Sequence, residues 1–253
     1  MAPTDPCRRR IVVTVAAAAL GGASCATRTP LAPLRSLAVL PVGNVDAHHL
    51  DNRDIETRIV ASGGPPPPGS FATPSVIVVD TPSRERFAAG MAVLNPAFHR
   101  GFEGALLGHL RAAGIAFTRL DDEAAAKQAR SQRSGVAGLA GGADAVLDIV
   151  LDAAGFRPYG KEQVLTPEAY VEMNLVSAST RQSIDGAKYS FDRRAIAGDP
   201  RHLRCERDQT YDSLAKLLGD LPRAATIIEA GFQRLADVVA RDVVQLVQGK
   251  ALA

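Results

Sequence analysis

The sequence predicts an α/β protein of the α+β kind, in which a mixed sheet with long antiparallel strands carries helices on one or both faces. Two long segments, residues 143–152 and 170–184, alternate apolar and polar residues with the period of two that is typical of strands. Residues 222–248 place apolar residues at helical spacing instead, which predicts a long C-terminal amphipathic helix.

The first predicted strand is the compact apolar run at residues 36–42. Residues 55–80 are interpreted as an insertion, with strands expected at 55–60 and 75–80. Between them, residues 63–69 contain four consecutive prolines, which lack N–H donors and favour an extended polyproline conformation. We expect a stiff exposed loop there, and a proline-rich ligand for a partner protein is the alternative.

A helix is predicted to open at Asn95 and Pro96, because asparagine suits the N-cap and proline suits the first turn. Gly114 is expected to end it. Its apolar stripe comprises Phe98, Phe102, Leu106 and Leu110. Three glycines also lie near one another on this helix, Gly101, Gly104 and Gly108. Each costs up to about 1 kcal/mol of helix stability, so we expect close packing against the sheet.

A short strand at 115–120 and a helix from Glu123 to about residue 139 follow, because acids at 121–123 favour the positive end of a helix dipole. In the next segment Asp144, Asp148 and Asp152 would repel one another on a helix, which favours a strand. After the strand at 170–184, Asp185-Gly186 predicts a hairpin turn into a strand at 187–193.

The C-terminal third is predicted to contain a polar loop at residues 195–207 and helices at 210–218 and 222–248. The buried stripe of the last helix comprises Ile228, Phe232, Leu235, Val239, Val243 and Leu246. This stripe and the proline loop are the two candidate surfaces for contacts with other proteins.

The N-terminus has the three parts of a secretory signal peptide: a head with Arg8, Arg9 and Arg10, an apolar run at 11–20, and small residues. The apolar run is about half the length that crosses a bilayer. We therefore predict a signal peptide at 1–24, a tether at 25–35 and a single domain at 36–253 that includes the insertion.

The residues before Cys25, Gly22-Ala23-Ser24, resemble the lipobox of bacterial lipoproteins, although Gly22 stands where that family usually has leucine. The resemblance implies acylation of Cys25, a new N-terminus at that residue and attachment to a membrane through lipid. Ala26 resembles the signal for sorting to the outer membrane, which would place the protein on its periplasmic face. Ordinary cleavage nearby, which would leave a soluble periplasmic protein, is the alternative.

Composition excludes some partners and cross-links. The net charge of +2 falls to zero once residues 1–24 are removed, so nucleic acid is not an expected partner. Loss of Cys7 and acylation of Cys25 would leave Cys205 alone, and no internal disulfide could then form. We expect Cys205 to be a partly buried, unreactive thiol.

No phosphate loop, nucleophile elbow, H-E-x-x-H or C-x-x-C pattern is present, and no cofactor is predicted. Asp46, His48 and His49 are weak metal-ligand candidates, because adjacent histidines on an extended segment point apart. Asp144 and Asp148 would lie about 13 Å apart on a strand, too far for a catalytic pair, and we expect a solvated edge.

The strand pattern resembles envelope lipoproteins related to curli-secretion proteins and to activators of penicillin-binding proteins. The matching pieces are Ala38-Val39-Leu40-Pro41, Gly142-Ala143-Asp144, the segment at 171–180 and the aromatic strand at Tyr189. Where that group commonly has Thr-Gly at a turn this chain has Thr180-Arg181, and it has no tryptophan. The resemblance implies the fold and leaves the specific activity open.

These observations predict a membrane-anchored, non-enzymatic envelope lipoprotein that acts as an assembly or accessory factor through an envelope protein partner. The alternatives are a periplasmic small-ligand or metal-binding protein or hydrolase, using Asp46, His48 and His49 or Asp144 and Asp148, and a self-assembling secretion component. An oligomer is compatible with each of them.

Overall fold

The computed structural model describes residues 33–43, 48–50, 79–131, 135–159, 164–193 and 199–250. The strands within these residues are β1 Leu37–Val39, β2 His48–Leu50, β3 Phe117–Arg119, β4 Ala145–Tyr159, β5 Val164–Ser177, β6 Ser183–Asp192 and β7 His202–Arg204. The α-helices are α1 Thr81–Leu94, α2 Phe98–Ala112, α3 Glu123–Ser131, α4 Leu214–Gly219 and α5 Leu221–Val247. Two short 3-10 helices lie at Val136–Leu139 and Arg207–Gln209.

The strands form one mixed sheet in the order β3-β1-β4-β5-β6-β7, with β2 paired to β4 beyond the end of β1. β4, β5 and β6 are long, and the β4–β5 and β5–β6 pairings are antiparallel. The remaining pairings are parallel. The predicted fold class, a mixed sheet with long antiparallel strands, helices and a long C-terminal helix, is confirmed.

One face of the sheet is covered by α1, α2 and α5, which together with the sheet enclose the main core. The predicted stripes of α2 and α5 are both buried there, with Phe98 and Phe232 in contact at a ring separation of 5.5 Å. Because α5 turns this stripe inward, the prediction that it forms a contact surface for other proteins is wrong. Within the described residues, no helix combines the length and apolar composition needed to cross a membrane.

Among the residues that the structure describes, helix covers the opposite face at one corner. There α3 and the first 3-10 helix enclose a small second core, formed by Ala38, Leu40, Ala126, Ala129, Val136 and Val146. Away from that corner, this face carries the polar side chains of β4, β5 and β6. The predicted helix at 123–139 is therefore divided, since α3 ends at Ser131 and 3-10 geometry spans Val136–Leu139.

The prediction that Asn95 and Pro96 open a helix is wrong in detail. Asn95 ends a helix that the sequence analysis missed, α1, and adopts the left-handed conformation with φ of 44°. The signal for α1 was Asp80 with Pro82 two residues later, because the Asp80 carboxylate accepts a hydrogen bond from the Ser83 N–H at 2.9 Å as an N-cap. α2 begins at Phe98.

The prediction of a hairpin turn at Asp185-Gly186 is also wrong. Both residues lie inside β6, where Asp185 pairs with Leu175 and Gly186 pairs with Asn174. A Cβ atom at Gly186 would lie 2.8 Å from Asn174 Oδ1, so the glycine serves a close cross-strand approach. The turn spans residues 178–182 and uses Arg181 in the left-handed region, at φ of 58°.

Several element ends differ from the prediction. β4 continues to Tyr159, β5 spans Val164–Ser177 instead of 170–184, and β7 lies inside the predicted polar loop. The predicted strand at 55–60, the proline loop and most of the 75–80 strand lie outside the described residues.

The glycines of α2 do not pack against the sheet as predicted. A Cβ atom at Gly104 or Gly108 would have no neighbour within 4 Å, because both residues are exposed. Gly231 of α5 is the opposite case, since a Cβ atom there would lie 2.3 Å from the Phe191 ring. The close approach of helix to sheet therefore depends on α5 and not on α2.

We predict that Gly231→Ala lowers the free energy of unfolding by about 1–3 kcal/mol, because the added methyl displaces the Phe191 ring. Gly108→Ala is the matched control and should raise it by up to about 1 kcal/mol, since it adds helix propensity and meets no neighbour. Urea unfolding of both variants measures the difference. Equal effects of the two substitutions would contradict the packing of α5 on β6.

Candidate functional site

The two predicted histidines lie side by side on β2 and point to opposite sides of the sheet. The His48 ring contacts Phe98 on the helical side at 5.5 Å, and burial lowers the pKa of His48. On the other side, His49 Nε2 lies 3.2 Å from Glu168 Oε2. Asp46 lies outside the described residues, which contain no group of three or more side chains able to hold a metal ion.

The three aspartates of the β4 segment have different environments. The Asp144 carboxylate accepts hydrogen bonds from the N–H groups of Arg35 and Ser36, at 2.6 and 3.2 Å. Asp152 is exposed. Asp148 is 7% exposed, so the prediction of a solvated edge is wrong for this residue.

The reason lies in α3, which places Arg130 over Asp148. Arg130 Nε donates to Asp148 Oδ1 at 2.8 Å, and its Nη2 donates to the carbonyl of Pro41 at 2.6 Å. One guanidinium thus joins α3, the loop after β1 and the first part of β4. The carboxylate is buried because its charge is compensated, which is the usual condition for burying an ionised group.

The same face of the sheet also holds a group of buried and half-buried polar side chains that the sequence analysis missed. We call it the charged cluster, and it comprises His49, Arg157, Glu168, Tyr170 and Asp192. The exposed fractions are 3% for Glu168, 6% for Asp192 and 9% for Arg157. The signal in the sequence was residues 164–170, where Thr166, Glu168 and Tyr170 alternate with apolar residues.

The contacts of the charged cluster cross three strands. Arg157 of β4 forms an ion pair through Nε with Glu168 of β5, and its Nη2 donates to the Tyr170 hydroxyl at 3.1 Å. The Tyr170 hydroxyl lies 3.2 Å from both Glu168 Oε1 and Asp192 Oδ2, so its proton is shared between two carboxylates. Asp192 of β6 lies 4.0 Å from Arg157 Nη2.

Burial and the neighbouring Glu168 carboxylate raise the pKa of Tyr170, so its hydroxyl remains a proton donor. The cluster contains two carboxylates and one guanidinium, and His49 adds a second positive charge when it is protonated. Chemically, this arrangement ties β2, β4, β5 and β6 together by charge-assisted hydrogen bonds.

A second buried network fixes α5 to β6 on the helical face. The Tyr189 hydroxyl donates to Asp242 Oδ2 at 2.9 Å, and Arg201 Nε donates to the same oxygen at 3.0 Å. Burial first, and then the Asp242 charge, raise the pKa of Tyr189, so the phenol keeps its proton.

We predict that Glu168→Gln lowers the free energy of unfolding by about 3 kcal/mol, because it removes the closest carboxylate from the buried Arg157 guanidinium and leaves only the more distant Asp192. Glu172→Gln is the matched control on the same strand and face. Its partner Lys188 is 80% exposed, so that loss should stay below about 1 kcal/mol. Chemical denaturation at neutral pH compares them, and equal losses would contradict the structural importance of the cluster.

The sequence matches no protein-family model and no curated protein. Among solved structures, the PelC dodecamer from Paraburkholderia phytofirmans is 15% identical over 89% of this chain and 94% of its own, with a TM-score of 0.32. Protein XCC0632 from Xanthomonas campestris is 10% identical over 86% and 87%, with a TM-score of 0.36. Lipoprotein GNA1162 from Neisseria meningitidis is 13% identical over 76% and 94%, with a TM-score of 0.27. Similarities this low assign neither a family nor a function.

Proposed function

We propose that this chain is an exported lipoprotein, held at the periplasmic face of the outer membrane by lipid on Cys25. It acts there as a non-enzymatic assembly or accessory factor through contacts with envelope proteins. The observation that carries the proposal is the basic head, short apolar run and Gly-Ala-Ser-Cys exit at residues 8–25. Lipid supplies membrane affinity of about 0.8 kcal/mol for each buried CH₂ group.

The position of the first described residues supports this proposal. The Leu34 N–H donates to the Val247 carbonyl at 2.9 Å, and Arg35 and Ser36 donate to Asp144. The chain that follows Cys25 therefore joins the folded body at the end of the sheet where β1 and β4 begin and α5 ends. An extended chain between Cys25 and Pro33 spans at most about 28 Å, which keeps this end near the bilayer.

We call this the tethered end, and its charge suits an anionic leaflet. It carries the exposed cations Arg35, Arg111, Arg181 and Lys250. Asp144 also lies there, with its carboxylate engaged by two backbone N–H groups. Each basic side chain near an anionic surface contributes about 1 kcal/mol of attraction, which would orient the lipid-anchored body.

The buried carboxylates support a structural role over a catalytic one. Asp148, Glu168, Asp192 and Asp242 each accept hydrogen bonds from side chains of the same chain. A general acid or base needs access to a substrate proton, and these groups are instead enclosed by their donors. In this proposal, the contacts with other proteins are made by exposed surfaces outside the tethered end.

We predict that Cys25→Ser abolishes acylation and moves the protein from the membrane fraction to the soluble periplasmic fraction. Cys205→Ser is the control and should stay with the membrane, since its thiol is buried in the folded body. Fractionation, palmitate labelling and mass spectrometry of the mature N-terminus measure the outcome. A mature chain that begins elsewhere, with Cys25 unmodified or removed, would overturn the anchoring.

The accessory function predicts a specific partner. Cross-linking of the native protein in intact cells, followed by purification from membranes, should recover one or a few envelope proteins in stoichiometric yield. Cys25→Ser should reduce that yield, because anchoring concentrates the protein near its partner. Recovery of the chain alone at its native abundance would count against an accessory function.

A further inference from the structure

A cavity of about 460 Å³ lies at the end of the sheet opposite the tethered end. Its lining comprises Arg193, Arg204, Cys205, Glu206, Arg207 and Thr210. A second cavity of about 610 Å³ shares Arg207 and Thr210 with it and continues toward Tyr211 and the first turn of α5. Because the two cavities share these lining residues, we refer to them together as the arginine groove.

The charged side chains that line the first cavity differ in how far their charge is compensated. Three guanidinium groups line it, and among the described residues those of Arg204 and Arg207 have no carboxylate within ion-pair distance. Arg193 lies over the Tyr159 ring, 5.8 Å from its centroid. Glu206 is engaged, because its side chain accepts a hydrogen bond from the Gln209 N–H in a capping box.

The acidic side chains that line the second cavity also have partners within the chain. Asp212 pairs with Lys216 at 2.6 Å, and Asp220 caps α5 by accepting from the Arg223 N–H at 3.3 Å. Arg223 lies over the Tyr211 ring, at 5.4 Å from its centroid, and donates to the Asp208 carbonyl. The acids thus have partners within the chain, while Arg204 and Arg207 present unpaired charge to the groove.

We propose that the arginine groove binds an oxyanion, a phosphate or carboxylate group carried by a small molecule. A guanidinium presents a planar fork of N–H donors that matches these groups and forms strong charge-assisted hydrogen bonds. Cavities of this size are typical of small-ligand sites. The anionic group lies between Arg204 and Arg207, and the rest of the ligand extends along Tyr211 and Val164.

The ligand comes from solution and not from the bilayer that the proposed anchor would occupy. Arg193 follows the last residue of β6, whereas the tethered end lies at the first, and a strand of that length spans about 30 Å. The groove is therefore on the far side of the body from the lipid headgroups near Cys25. This step rests on the proposed anchoring, but the binding itself does not.

Cys205 provides a reporter for binding. Its side chain lines the first cavity, it is 4% exposed, and burial raises the pKa of the thiol to about 11. Because the thiolate is the reactive form, alkylation should be slow at neutral pH and should accelerate as the pH approaches 11. An anion in the cavity would cover the thiol and slow the reaction further.

The test uses the chain from residue 25 with Cys25→Ser, which contains every described element and leaves Cys205 as its one cysteine. Calorimetric titration with pyrophosphate, and separately with citrate, should show saturable binding of at least one of them. The bound anion should slow alkylation of Cys205 by iodoacetamide several-fold, relative to sodium chloride at equal ionic strength.

The double variant Arg204→Gln/Arg207→Gln should weaken that binding about tenfold or more, because it removes two charge-assisted donors. Arg86→Gln, on the exposed surface of α1, is the control and should bind as the parent chain does. Circular dichroism and the melting temperature should show that both variants are folded. Absence of saturable binding to either anion, or equal affinity in the folded double variant, would overturn the proposal whether or not Cys25 is acylated.

Discussion

The structure depends on one constraint, the alternation of side chains along β4, β5 and β6. Because successive residues of a strand point to opposite faces, the sequence determines two different surfaces at once. Leu147, Val171 and Tyr189 face the helices and enclose the core with α5. A shift of one residue in register would exchange this face with the charged one, so each pairing is strongly determined.

On the opposite face, charged groups are buried together with groups of opposite charge. Two arginines lie on it and each compensates a buried carboxylate: Arg130 of α3 pairs with Asp148 of β4, and Arg157 of β4 pairs with Glu168 of β5. Removing a single partner would cost more than the pair contributes, because the remaining charge would stay desolvated. These ion pairs therefore specify which side chains must be present together, more than they add to overall stability.

The sequence predicts the fold well where apolar periodicity is strong, as in α2, α5 and the buried positions of β4. The prediction is wrong where a residue type that usually marks a turn has a different structural role. Gly186 looks like a turn glycine but allows Asn174 to approach, and Arg181 takes the left-handed turn position although it has a Cβ. The charged cluster could be predicted only in part, since alternation predicts that Glu168 and Tyr170 share a face but not that Arg157 and Asp192 meet them across strands.

The pairing of β2 with β4 depends on the absence of a side chain at Gly155. Gly155 pairs with His49, and a methyl in place of its α-hydrogen would lie 1.9 Å from the His49 carbonyl oxygen. That oxygen belongs to the backbone, so it cannot rotate away as a side chain could. Any chiral residue at this position would push β2 off its neighbour and carry the imidazole of His49 away from Glu168. Gly155 thereby determines whether His49 lies within hydrogen-bond distance of Glu168, although Gly155 contributes no polar atom to the charged cluster.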